Sequence, residues 1–140
     1  MVTKRGGIEP TLDAQQRLGA GSTKARGDAA EDRALAWLQT RGLVLVERNY
    51  RLAGGPRARG GEIDLVMRER DGTLVFVEVR ARAGGGHGGA AASVGGVKQQ
   101  RLRRAAKHYL MRLAALPPCR FDVLALDGER IDWLQAAFDA

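Results

Sequence analysis

Four charged residues stand where a β-rich chain usually places apolar ones: Glu62 and Asp64 in one run, Glu78 and Arg80 in another. Alternate residues of a strand point to the same face, so each run projects its two charged side chains together. Asp71-Gly72 between the runs is a strong hairpin signal and makes the strands neighbours. Counting outward from that turn places Asp64 opposite Glu78 or one pair beyond it. Carboxylates clustered on facing strands repel one another unless a cation intervenes. A hard divalent ion with oxygen ligands removes that repulsion, which makes Asp64, Glu78 and Glu62 candidate ligands of Mg²⁺ or Mn²⁺, with the Val79 carbonyl as a further oxygen. Such an ion polarises a phosphate and lowers the pKa of bound water, the chemistry of phosphodiester hydrolysis. The plainer alternative is a hairpin with one wet face and one buried face. Ile63, Leu65, Val75, Val77 and Val79 alternate with the charged set, and Phe76 falls on the charged side.

The elements that must position these residues follow from periodicity. Ala30, Ala34, Trp37 and Leu38 recur at helical spacing, predicting a helix over residues 28–40 stopped by Gly42. Glu31 lies at the border of its apolar face, either orienting a ligand or water or complementing the helix dipole at the N-terminal turn. A strand follows at 43–48, then a Gly, Pro and Arg-rich connection at 53–60. The hairpin strands cover 62–68 and 73–82. Residues 84–96 are dominated by Gly and Ala and read as a loop, a lid or a substrate-side segment. His87 within it has no spaced partner for a zinc site. A second helix is predicted over 97–116, with Leu102, Ala105, Ala106, Tyr109, Leu110 and Leu113 as its stripe and Pro117-Pro118 as its end. Strands at 121–126 and 131–134, joined at Asp127-Gly128, close the chain. The order is α-β-β-β-α-β-β, an α/β class with a mixed central sheet flanked by helices. The third and fourth strands are expected to form a right-handed parallel unit. Residues 1–25 read as a mobile tail and 26–140 as a single domain.

The net charge of +7 favours an anionic partner, with nucleic acid foremost. Lys98, Arg101, Arg103, Arg104, Lys107 and Arg112 crowd the second helix with no acid among them. Arg101, Arg104, His108 and Arg112 follow the spacing of one face, suited to the phosphate backbone; a solvated helix face is the bland alternative. Trp37, Trp133 and Tyr109 read as core anchors, and Asp122 as the structural ion-pair partner of Arg120. Cys119 is the only cysteine, which excludes an internal disulfide and fits a reducing, cytoplasmic setting. No apolar run is long enough to cross a membrane.

Several stretches together resemble the YraN family of bacterial proteins: Gly61-Glu62-Ile63-Asp64-Leu65-Val66, then the run from Leu74 to Arg82, Ser93-Val94 with Lys98-Gln99, Ala105 to Leu110, and Arg120-Phe121-Asp122-Val123. The resemblance covers about residues 26–138. It implies a restriction-endonuclease-like α-β-β-β-α-β core, similar to Holliday-junction resolvases, with an Asp…Glu-x-Lys type motif. Asp64 falls on its Asp, Glu78 on its Glu and Arg80 on its Lys, while Glu31 matches the helix-borne acid of the resolvase branch. Catalytic roles for Glu31, Asp64, Glu78 and Arg80 follow from the resemblance, as do DNA, branched DNA included, as partner, RNA as the lesser alternative, and a homodimer as working unit. Lys98, Arg101, Arg104, Lys107, Arg112 and Arg82 would contact the nucleic acid. Arg80 departs from the motif, because arginine stays charged and cannot act as a base. Lys98 or Lys107 is a candidate to replace the lysine, and a non-catalytic DNA-binding or recombination accessory module is the alternative function.

Overall fold

The computed structural model describes residues 23–52, 61–82 and 94–139. The expectations for the tail up to residue 22, for residues 53–60 and for residues 83–93, His87 included, lie outside the described residues. Helix α1 spans Thr23–Thr40, so the last residues of the expected tail are helical. Ala34 and Leu38 are fully buried along the stripe that their spacing predicted. The helix stops through its own backbone: Gly42 adopts φ 95°, Leu43 N–H donates to the Leu38 carbonyl at 3.2 Å and Gly42 N–H to that of Gln39 at 3.1 Å. These are the paired bonds of a Schellman motif, and the Leu38–Leu43 contact that usually accompanies it is buried in the core below.

Strands β1 (Val44–Arg51), β2 (Glu62–Arg68), β3 (Leu74–Arg82), β4 (Cys119–Asp127) and β5 (Arg130–Phe138) form one sheet in that spatial order. Neighbours are antiparallel except β3 and β4, which run parallel from Leu74↔Cys119 to Arg82↔Asp127. A parallel pair needs a crossover, and helix α2 (Gly96–Leu110) supplies it. The α-β-β-β-α-β-β order and mixed sheet are those read from the sequence. Helix α1 covers one face, where Ala34 and Leu38 meet Leu65, Met67, Val75, Val77, Leu124 and Leu126. Helix α2 covers the other, where Leu102, Ala105, Ala106 and Tyr109 meet Val66, Phe76, Phe121 and Val123.

Several boundaries differ from expectation. Helix α2 ends at Leu110 rather than 116, because its buried stripe ends at Tyr109 and the chain must then turn back toward β4. Bonds from Arg112 N–H to Tyr109 O and from Leu113 N–H to Leu110 O make that turn, and Leu74 N–H to Pro118 O anchors the return. Arg112 therefore lies beyond the helix. Strand β5 runs on to Phe138, which stacks on Phe121 at 4.8 Å, and β1 runs on to Arg51. Trp37 and Trp133 pack edge to face at 5.7 Å over the rim of the α1-side core rather than inside it.

Gly61 fixes the seat of α2 on the sheet. A methyl at its Cα would lie 2.2 Å from the Arg101 carbonyl oxygen and 3.0 Å from Ala105 Cβ. Backbone cannot yield there as a flexible side chain would. Gly61→Ala is therefore expected to lower unfolding free energy by about 1–3 kcal/mol, read from the urea midpoint; a variant as stable as the parent would contradict this packing.

Candidate acidic centre

The β2–β3 ladder pairs Arg68↔Leu74, Met67↔Val75, Val66↔Phe76 and Leu65↔Val77. One further step would set Asp64 opposite Glu78. There the backbone ladder ends and a side chain takes over, with Asp64 Oδ2 accepting the Val79 N–H at 2.8 Å. The strand rolls at this point. Leu65 and Met67 face the α1-side core, whereas Ile63 joins the α2-side core with Tyr50. On β1 the same change falls across Asn49, a non-glycine residue held at φ 56°. Strict alternation therefore fails around Asp64, which sits in the seam between the two strands instead of sharing one face with Glu62.

Glu78 is buried, 6% exposed. Its Oε2 lies 3.4 Å from Lys98 Nζ in the first turn of α2. Its Oε1 is buried and meets no hydrogen-bond donor among the described residues. The Glu78 carboxyl also shares a hydrogen bond with the neighbouring Asp64 carboxyl. Burial, then the charge of Glu78, pushes Asp64 up to about 7, while the Val79 N–H and Lys98 act in the opposite direction. Burial also raises Glu78, with Lys98 and Arg80 opposing.

The remaining acids stand around this pair. Glu31 reaches it from α1, its carboxyl raised by burial and then by the charge of Asp64. It is held by an Asn49 side-chain hydrogen bond and faces Arg48 Nε at 3.5 Å. Arg48 also binds Asp32 at 2.7 Å, so β1 pins the acid-bearing turn of α1 to the sheet. Glu62 turns to Arg51 on β1 at 3.4 Å, though its charge still acts on Asp64. Among the described residues no three carboxylate, histidine or cysteine side chains form a metal-binding group. The structure thus brings Asp64 and Glu78 together, with Glu31 and Lys98 beside them, and leaves Glu62 at the margin. Arg80 is half-buried two residues beyond Glu78. Arg82 closes β3, and its side chain lies outside the described residues.

The expected single basic face of α2 is divided. Arg104 and Lys107 are exposed and Arg101 is half-buried. The His108 Nδ1 is 2.6 Å from the Tyr50 hydroxyl. Arg112 pairs with Glu47 at 3.4 Å and lies over the Tyr109 and Tyr50 rings at 4.9 and 5.5 Å. Nine residues separate Lys98 from Lys107, which is two and a half helical turns. Of the two candidate lysines, only Lys98 meets Glu78. Sequence reasoning missed Arg48 and left Lys98 undecided. The available signal for Lys98 was its place in the first turn of the crossover helix following the strand that carries Glu78.

A mixed α/β domain with a buried acidic pair at a strand seam is the class that the fold and this centre define. The sequence model of Uncharacterised protein family UPF0102 matches residues 30–126. A UPF0102 protein of Methylibium petroleiphilum is 74% identical over 119 residues, covering 85% of this chain and 98% of its own. Another, from Albidiferax ferrireducens, is 58% identical over 126 residues, covering 90% and 96%. The chain belongs to the UPF0102 family, the YraN family of the sequence resemblance.

The acidic pair makes stability depend on pH. The folded protein holds the Asp64 proton up to about pH 7, whereas an unfolded chain releases it near pH 4. The stabilisation is fully present in acid and is lost as pH rises from about 4 to about 7. Asp64→Asn removes this loss, so without divalent ions the variant is expected to exceed the parent at pH 8 by up to about 4 kcal/mol and to approach it at pH 4. Denaturant titrations at the two pH values check this. An equal difference at both would contradict it.

Proposed function

We propose that this chain is a nucleic-acid-binding protein whose acidic centre serves metal-dependent, structure-directed cleavage of DNA. The observation that carries the reading is Glu78 Oε1, a buried carboxylate oxygen with no donor among the described residues, beside an Asp64 carboxyl driven toward its neutral form. Two carboxylates with coordination positions left for water and phosphate are a donor set that suits Mg²⁺ or Mn²⁺. Asp64 and Glu78 would hold the ion, with Glu62 near enough to add charge. Bound there, it would polarise the scissile phosphate and lower the pKa of water.

The chain's own residues supply the rest. The Val79 N–H fixes one Asp64 oxygen and so sets the direction of the other. Lys98 brings to the centre the ammonium that β3 lacks, a group able to exchange a proton as Arg80 cannot. Arg80 offers fixed positive charge for a phosphate in transfer. Glu31, restrained by Asn49 and Arg48, acts as a positioning carboxylate behind Asp64. Arg101 and Arg104 supply phosphate contacts, backed by the +7 net charge. DNA, including branched DNA, is the partner this reading favours over RNA, and a homodimer would match two strands to two centres.

Arg80 at the motif's lysine position favours a second reading, a DNA-binding recombination accessory module without chemistry. Cleavage of four-way junction, flap and linear DNA in Mg²⁺ or Mn²⁺ separates the two. The enzyme reading expects Glu78→Gln and Lys98→Ala to lower cleavage about 100-fold or more with binding retained. Junction binding without cleavage in either metal selects the accessory reading. Arg101→Ala with Arg104→Ala is expected to weaken junction binding and to reduce the salt slope by about 2; unchanged affinity would remove the helix from the interface.

A further inference from the structure

A groove of about 650 Å³ opens beside the C-terminal half of α2 and the start of β4. Leu110, Met111, Leu113, Leu116 and Phe121 give it an apolar lining. Met111 and Leu116 are each 76% exposed, more than any other large apolar side chain among the described residues. Its two charged lining residues, Arg103 and Lys107, are both basic, and no acid joins them. Exposed apolar surface rimmed by polar groups is characteristic of a binding surface, and the rim's single sign specifies the charge of what it receives.

We propose that this groove receives an acidic segment of a protein partner, one that presents one or two bulky apolar side chains. A phosphate backbone on Arg103 and Lys107 would leave the exposed Met111 and Leu116 uncovered, which disfavours nucleic acid here. A second copy in a two-fold dimer would set the same patch against itself, opposing the Arg103 and Lys107 charges on two chains that each carry +7. An acidic segment satisfies both features at once, its carboxylates meeting the rim and its apolar side chains covering Met111 and Leu116. Lys107 lies half a turn around α2 from Lys98, so the groove and the acidic centre use different sides of the helix. Occupancy of one is therefore separable from the chemistry of the other.

The test uses fluorescence anisotropy with the full chain and a labelled synthetic peptide of aspartates followed by Leu and Phe. Saturable binding is expected, weakened about tenfold or more by Met111→Asp, Leu116→Asp or Lys107→Glu. The first two substitutions sit at exposed positions, so the melting temperature should hold. Replacing the peptide's aspartates by asparagine, or its Leu and Phe by serine, should weaken binding as much, while Asp64→Asn in the protein should not. Three results would overturn the proposal: no saturable binding; equal binding of the serine peptide, which marks bare charge attraction; or self-association in sedimentation abolished by Met111→Asp, which gives the groove to a second copy.

Discussion

A buried carboxylate needs a donor, a proton or a cation, and Asp64 and Glu78 have between them too few donors for two charges. This shortage shapes the centre of the molecule. Asp64 takes the Val79 N–H, and Glu78 takes Lys98 on one oxygen and no donor among the described residues on the other. Burial penalises the charged carboxyl, and Coulomb repulsion from Glu78 across a seam shielded from water adds to it, so Asp64 holds a proton at pH values where an aspartate in water has lost one. The strand roll at Asp64, the seating of α2 against Gly61 and the pinning of Glu31 by β1 all converge on keeping these groups close.

Asp122 shows that the fold is able to satisfy a buried acid fully. It is completely buried, yet it accepts bonds from Arg120 Nε, from Trp133 Nε1 at 2.9 Å and from the Ala136 N–H at 2.9 Å. Arg120 in turn pairs with Glu69, and both Asp122 oxygens meet donors. Such a group ties β4 to β5 and has nothing left to offer a ligand. Glu78, one residue removed in the β3–β4 register from the pair Val77↔Asp122, lies on the opposite face with an oxygen open. Removing one partner from a buried polar group costs about 1–3 kcal/mol. The fold arranges three donors for Asp122 and leaves Glu78 Oε1 without one among the described residues; the proposed function rests on that contrast.

Much of this was legible in the sequence. The 3.6-residue stripe of Ala34 and Leu38, the Asp71-Gly72 turn and the alternation in β3 fixed the element order and set Asp64 against Glu78. The resemblance of the Gly61 to Val66 and Leu74 to Arg82 runs pointed to the same residues. Other features depended on tertiary geometry. Period-2 reasoning put Glu62 beside Asp64, but the roll that sends Ile63 to the α2 side breaks that period, and a neighbouring strand's Asn49 shares in it. Helix α2 ends where packing stops, at Tyr109, rather than at the proline pair that would have forced a stop. The charged helix face dissolved for a similar reason, since Glu47 and Tyr50 on β1 claim Arg112 and His108.

On the proposed function, the proton shared by Asp64 and Glu78 would give way to a divalent cation. Calorimetric titration with Mn²⁺ at pH 7 in two buffers of different ionisation enthalpy counts the protons displaced on binding. The expected result is saturable binding by the parent chain with release of a substantial fraction of one proton, and loss of both binding and release in Asp64→Asn. Binding indifferent to Asp64, or no proton release at all, would contradict it.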